Sequence, residues 1–207
     1  MFRDHIGSEK SRTFLLEEVC KLQRGKAFSS NKYMNSGSPI IRVRNVQKNQ
    51  LTTNGLVYFS DTDYEDDLSK YILKPRDLAV TLTGKAMVFL NTVDDSFYMG
   101  SDICRLDPDL EVLDREYLFH FLSNLNLDSI VKYGMIPHLD VGKFKKLEIR
   151  VPPLSLQKEI ASKLGKIQEL KEELKEELKE ELRLRKKQHG YYRKQIWKSC
   201  SEDKVKS

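Results

Sequence analysis

Seven cations, Lys21, Arg24, Lys26, Lys32, Arg42, Arg44 and Lys48, fall between Glu18 and Asp61 with no carboxylate among them. Such a run is either a solvated basic face or a surface that meets phosphates. Its company favours the second reading. Gln23, Ser29, Ser30, Asn31, Tyr33, Asn35, Asn45, Gln47 and Asn49 stand among the cations, and their amides and hydroxyls can hydrogen-bond base edges as well as phosphate oxygens.

Other reactive chemistry is missing. DTDYEDD at 61–67 groups five acids, but it lacks the glycine and terminal glutamate of a calcium loop and reads as an exposed acidic loop. The four histidines lack metal-ligand spacing, so no metal site is expected. No S-adenosylmethionine loop or [ND]PP[FY] motif occurs, since Pro152-Pro153 is preceded by Val151 and followed by Leu154. A Walker loop and a nucleophile elbow are also absent. Pro108-Asp109 with the distant Glu173-Leu174-Lys175 imitates a metal-dependent nuclease core only because KEEL repetition creates ELK. No catalytic residue is expected, and any chemistry on a nucleic acid would be borrowed.

The scaffold reads as two parts. Residues 1–142 hold 17 Lys and Arg against 20 Asp and Glu, and residues 143–207 hold 19 against 11, so a front of −3 is joined to a tail of +8. The predicted domains are 1–152 and 153–207, and a front of about 150 residues can bury its own core. Three widely spaced cysteines, Cys20, Cys104 and Cys200, suggest neither disulfides nor a zinc cluster. The N-terminus has no apolar leader and no run reaches membrane-span length, so a cytoplasmic protein with reduced thiols and no membrane partner is expected. Residues 1–11 read as frayed, and Phe14–Leu22 as a short amphipathic element. Alternation from Ile41 to Arg44 predicts a strand with Arg42 and Arg44 on one face. Segments 56–60, 77–84, 86–90 and 146–151 read as further strands, and 114–130 as a helix in which His120 is packed or exposed rather than a ligand.

A helix capped by Ser155 and running to about Lys198 would span roughly 65 Å. It contains three tandem KEEL units from Lys171 to Leu182. Its apolar positions are Leu156, Ile160, Leu164, Ile167, Leu170, Leu174, Leu178 and Leu182, then Tyr192, Ile196 and Trp197. A leucine every fourth residue drifts about 40° per repeat and departs from a heptad, which suits a partner helix that crosses or wraps. Gly165 and Gly190 are expected to mark bends.

FLLEEVCKLQRGKAF, SPIIRVRNV, DLAVTLTG, GMIPHLDVGKFKKLEIRVPPLSLQKEIASKL and RKKQHGYYRKQIW together resemble the DNA-specificity (S) subunit of type I restriction-modification systems. The match is to one half of such a subunit, a single target-recognition domain with a single linking helix, over roughly 13–197. The most specific element is Pro152-Pro153-Leu154 with Gln157 ahead of the long helix. Arg76 stands where the family often has glycine, and the second glycine of the following turn is missing after Gly84-Lys85.

The resemblance implies an α+β architecture: a mixed α/β target-recognition domain followed by a long C-terminal helix that packs as an antiparallel coiled-coil-like dimer. It implies no catalysis and no cofactor in this subunit. The implied partners are double-stranded DNA, methyltransferase (M) subunits, the translocating nuclease (R) subunits, and a second copy or another S chain. The candidate DNA contacts are Lys26, Ser29, Arg42, Arg44, Asn45, Thr83, Lys85, Met135 and His138. Arg42 is open between guanine and phosphate, and Asn45 between adenine and ending the strand. The candidate pairing residues are Ile160, Leu164, Ile167, Leu170, Leu174, Leu178, Leu182, Tyr192 and Ile196. Two other classes stay in view, a coiled-coil adaptor that reads no DNA and a free-standing nuclease.

Overall fold

A strand that is apolar on both faces needs a layer on each side, and the centre of this fold is built that way. The computed structural model describes residues 11–47 and 49–203, with side chains up to Trp197. The frayed segment expected at 1–11 lies, up to Lys10, outside the described residues, as does Lys48. In chain order the elements are β1 (Arg12–Leu15), α1 (Leu16–Val19), β2 (Cys20–Arg24), β3 (Ser38–Ile41), β4 (Val46–Gln47), β5 (Gln50–Leu51), β6 (Val57–Phe59) and β7 (Ile72–Leu73). They continue with β8 (Leu78–Thr81), β9 (Val88–Leu90), β10 (Phe97–Met99), β11 (Ile103–Pro108), α2 (Arg115–Asn124), β12 (Val131–Lys132), β13 (His138–Leu139), α3 (Val141–Lys145), β14 (Glu148–Val151) and α4 (Leu154–Asp203).

Six strands form the central sheet in the order β2-β11-β8-β9-β5-β4, and four form a second sheet in the order β6-β3-β10-β7. All of β8 is buried. Leu78 and Val80 join Leu118 and Leu122 of α2 in one core, whereas Ala79 joins Phe97 and Met99 of the second sheet in another. The outer face of the second sheet carries a third, aromatic cluster around Phe28, Ile40 and Phe59, ringed by Tyr33, Tyr64, Tyr71 and Tyr98. The strands expected at 77–84 and 86–90 are β8 and β9, antiparallel with Leu78 opposite Leu90. Those expected at 56–60 and 146–151 are β6 and β14, and β14 pairs with β1, Arg12 opposite Val151.

Several local expectations are corrected. The Phe14–Leu22 element is a strand, a single helical turn and a second strand, divided where the Leu16 N–H donates to Leu147 O at 2.9 Å. The strand expected through Arg44 ends at Ile41, and a 3-10 turn over Val43–Asn45 follows. Its cause is the Asn45 side chain, whose Oδ1 accepts the Arg42 N–H at 3.1 Å and so competes with the sheet ladder. The 114–130 helix is capped by Asp114 but stops at Asn124, and a 3-10 turn over Leu127–Ile130 follows.

Helix α4 begins at Leu154, so Ser155 lies inside its first turn and Pro153 O accepts the first helical N–H, from Gln157, at 3.0 Å. The helix passes Gly165 and Gly190 unbroken. Two compact units divide between Ala161 and Ser162 rather than at 152/153. The cause is Gln157, which is fully buried. Its Oε1 accepts the Asp114 N–H at 2.7 Å, and its Nε2 donates to Val112 O at 2.9 Å and Pro152 O at 2.7 Å. Among the described residues no helix is long and apolar enough to cross a membrane.

Candidate functional site

Three chain segments from different parts of the sequence converge to build the site. Gly25 lies so close to the Met99–Gly100 backbone that an added Cβ would stand 2.2 Å from Gly100 O. That approach lets the Lys26 N–H donate to Met99 O at 2.9 Å and Lys26 bridge to Gly100. Gly100 N–H in turn donates to Ile41 O at 3.0 Å, at the point where β3 hands over to Arg42. The side chains then face a cleft of about 280 Å³ lined by Lys26, Ala27, Phe28, Tyr33, Arg42, Val43, Arg44, Thr83, Gly100, Ser101 and Asp102. Four of the nine candidate DNA contacts, Lys26, Arg42, Arg44 and Thr83, therefore share one cavity. Gly100, Ser101 and Asp102 were not among the candidates. The parallel pairing of β3 with β10 brings them in, and no local sequence pattern announces such a pairing.

The cations differ in how they are answered. Lys26 Nζ pairs with Asp66 at 2.6 Å and lies over the Tyr64 and Tyr71 rings. That hydrogen bond raises the lysine pKa above its ordinary value and lowers that of the aspartate. Lys32 donates to Asp63 O at 2.8 Å and lies over the Tyr64 ring, 4.9 Å away. The acidic segment 61–67 thus reaches back to two cations of the basic run. Arg42 is different. Its guanidinium stacks over Tyr33 at 5.3 Å, and its buried Nε and Nη2 have no hydrogen-bond partner among the described residues. Arg44 is exposed and rests against Gly55, where a Cβ would come within 2.8 Å of its Nη2.

Asn45 does not fit an adenine reader. It is fully buried, with Oδ1 taken by the Arg42 N–H and Nδ2 donating to Asn54 O at 3.0 Å, so it shapes the turn beneath Arg42. Ser29 is exposed on the adjoining turn, with its N–H donating to the Tyr64 hydroxyl at 3.1 Å. On the rim, Thr83 bridges to His138, and the Gly84 N–H donates to Pro137 O at 2.9 Å. Lys85 and Met135 are exposed on these two joined loops. Gly84 has φ +70°, whereas neither Lys85 nor Ala86 after it shares that conformation, so the missing second glycine leaves no strain there. Arg76 does occupy the left-handed region, at φ 68°. His120 is half-buried in α2, and burial lowers its pKa below the ordinary value. Among the described residues no three His, Cys, Asp or Glu side chains gather as a metal site would need.

In α4, Ile160 and Leu164 are half-buried. Ile167, Leu170, Leu174, Leu178, Leu182, Tyr192 and Ile196 are 53–64% exposed, apart from Leu174 at 65%. Glu172–Lys175, Glu176–Lys179, Glu180–Arg183 and Glu181–Arg185 pairs lie along the same helix, at the i,i+3 and i,i+4 spacings that favour helix formation. They support the helix and leave its apolar side chains uncovered.

A layered mixed α/β domain followed in the chain by a long helix is an arrangement that known proteins share. Residues 8–184 match the model of the type I restriction modification DNA specificity domain. The chain belongs to that family. A relative in it, the putative type I restriction enzyme specificity subunit S.HindORF215P of Haemophilus influenzae, is 35% identical over an alignment of 176 residues that covers 76% of this chain and 45% of the relative. The type I restriction enzyme MjaVIII specificity subunit of Methanocaldococcus jannaschii is 25% identical over an alignment of 167 residues that covers 76% of this chain and 39% of the relative. The chain spans less than half the length of either. The crystal structure of a type I S subunit from M. genitalium shares the fold with a TM-score of 0.57 at 17% identity, over 79% of this chain and 40% of that one. The expected mixed α/β domain and long C-terminal helix of a type I specificity subunit are therefore both present.

Proposed function

We propose that this chain is a non-catalytic DNA-specificity subunit whose domain docks one half-site in duplex DNA. Two chains joined along α4 would read an inverted repeat with a non-specific spacer, because protein symmetry is mirrored in the site. The pair recruits methyltransferase subunits and, for restriction, the translocating nuclease. The observation that carries this reading is Arg42, a stacked guanidinium with two buried donor nitrogens, Nε and Nη2, lacking acceptors, in a cleft shared with Lys26, Arg44 and Thr83. A buried donor left unmatched is costly, and the guanidinium turned toward the cleft would satisfy it on a guanine edge or a phosphate oxygen. The exposed apolar residues of α4 support the pairing.

The test is selection from random duplex DNA with the complete chain, alone and with its methyltransferase partner. An inverted repeat with a fixed gap is expected. Arg42→Ala should weaken binding to it by about 5- to 150-fold and relax preference at one base of each half-site. Binding that fades with salt and enriches nothing would count against sequence reading. The exposed face of α4 also suits the adaptor reading, in which chains pair but no half-site is selected. Replacing Leu174, Leu178 and Leu182 by Ser is expected to lower the solution mass in either case, so selection decides between the two.

A further inference from the structure

The ribbon of β12 and β13 ends in Tyr133, Gly134, Met135, Ile136 and Pro137. Met135 at 103%, Tyr133 at 77% and Ile136 at 58% are the most exposed large apolar side chains of the described domain. Single exposed apolar residues need no explanation, but three together on one tip mark a surface that meets something. The tip has a firm base. Pro137 O accepts the Gly84 N–H at 2.9 Å, the Leu139 N–H donates to Leu82 O at 2.8 Å, and Lys132 pairs with Asp140 at 3.1 Å. Through Thr83, which bridges to His138 and also lines the cleft, the tip is continuous with the surface that holds Arg42. No carboxylate occurs between Asp128 and Asp140, and the exposed Lys85 stands on the loop joined to the tip. The charge around these apolar groups suits a polyanion.

We propose that this tip reads thymine, packing Met135 and Ile136 against C5-methyl groups in the major groove. The inference rests on the DNA-reading function above. A two-stranded ribbon fits the major groove, about 12 Å wide, and among the base-edge groups displayed there the thymine methyl is the apolar one. Set against a guanine, cytosine or adenine edge, the same side chains would strip water from donors and acceptors and return no hydrogen bond. The tip therefore favours A·T pairs at the positions it faces, complementing the polar reading by the cleft. A buried methyl contributes about fourfold in affinity.

The test uses the complete chain with its methyltransferase partner and the half-site found by selection, with each thymine replaced in turn by uracil, which removes only the methyl. Affinity is expected to fall about fourfold at each thymine that faces the tip. The double variant Met135→Ser, Ile136→Ser should be indifferent to that replacement while keeping the rest of the half-site preference. Equal binding of uracil and thymine duplexes, or a selected half-site without thymine, would overturn the proposal and leave DNA reading intact. A variant with unchanged base preference that no longer holds the methyltransferase subunit would also overturn it, making the tip a protein contact. If selection enriches no half-site, the DNA-reading function fails and this inference with it.

Discussion

Lys26 and Arg42 line one cleft, yet Lys26 already has Asp66 as a counter-ion while Arg42 keeps buried donors open. Asp66→Asn preserves the shape of the acidic segment and releases the Lys26 charge. Binding to duplex DNA is expected to strengthen at low salt, and the plot of log affinity against log salt to steepen by about one. An unchanged slope would mean that Lys26 stays clear of phosphate. Arg76 makes a second test. A non-glycine residue at its φ of 68° costs about 1–2 kcal/mol, and its ion pair with Glu116 is exposed and worth under about 1 kcal/mol. Arg76→Gly is therefore expected to be neutral or to stabilise by up to about 1 kcal/mol in urea unfolding, and a clear loss would make the Glu116 pair the larger effect. Arg42 was singled out in the sequence by the acid-free run of cations and amides around it, a run that fits a solvated basic face as well as a phosphate-facing one. Asn45 was not, because its role depends on meeting Asn54 O nine residues later, which residue type alone does not encode.

At the scale of elements, Gln157 turns a short motif into a mechanical joint. Gln157→Leu removes one acceptor and one amide donor that serve three buried or half-buried backbone groups. At about 1–3 kcal/mol for each group left unmatched, a loss of about 3 kcal/mol or more in chemical denaturation is expected; a loss below about 1 kcal/mol would show that water replaces the amide. The central strands were legible because β8 and β9 are dense in β-branched and aromatic residues that suit a buried sheet. The entry segment was not, since a four-residue helical turn is too short to show a period and is set by a bond to Leu147, far along the chain. The KEEL stripe needs its flanks to be understood. Each four-residue step from Leu170 to Leu182 advances about 40°, but the two three-residue steps from Leu164 to Leu170 turn back about 60° each. Ile160 and Ile196 stand ten turns apart, and the candidate pairing residues stay within a face about 120° wide. Deleting one KEEL shortens the helix by about 6 Å, a little under two base-pair rises of about 3.4 Å. Selection with that variant is expected to return the same half-sites with a shorter spacer, and altered half-sites would refute a ruler role.

Over the whole molecule, residues 1–161 hold 22 Lys and Arg against 22 Asp and Glu, and residues 162–207 hold 14 against 9, so a neutral unit with a layered core is joined to a basic helix laced by ion pairs. The core seals its thiols. Cys20 and Cys104 are buried and unpaired, and burial is the main cause that pushes their pKa up to about 12 and about 11. Alkylation near neutral pH is expected to spare both in the folded protein and to modify both after unfolding, as read by peptide mass; modification of either in the native chain would reveal opening of the β2–β11 edge. The tandem tetrapeptides set the steps in which the long helix can be lengthened or shortened. Each copy acts as a screw, so removing one not only draws the far end of the helix in but also rotates everything beyond it by about 40°. On the proposed pairing along α4, one missing copy would leave most of a face about 120° wide in phase with its partner, and three would rotate it by its full width. Under that proposal spacer length and chain pairing would be coupled, and the gaps reachable by changing copy number would form a short ladder with rungs about two base pairs apart.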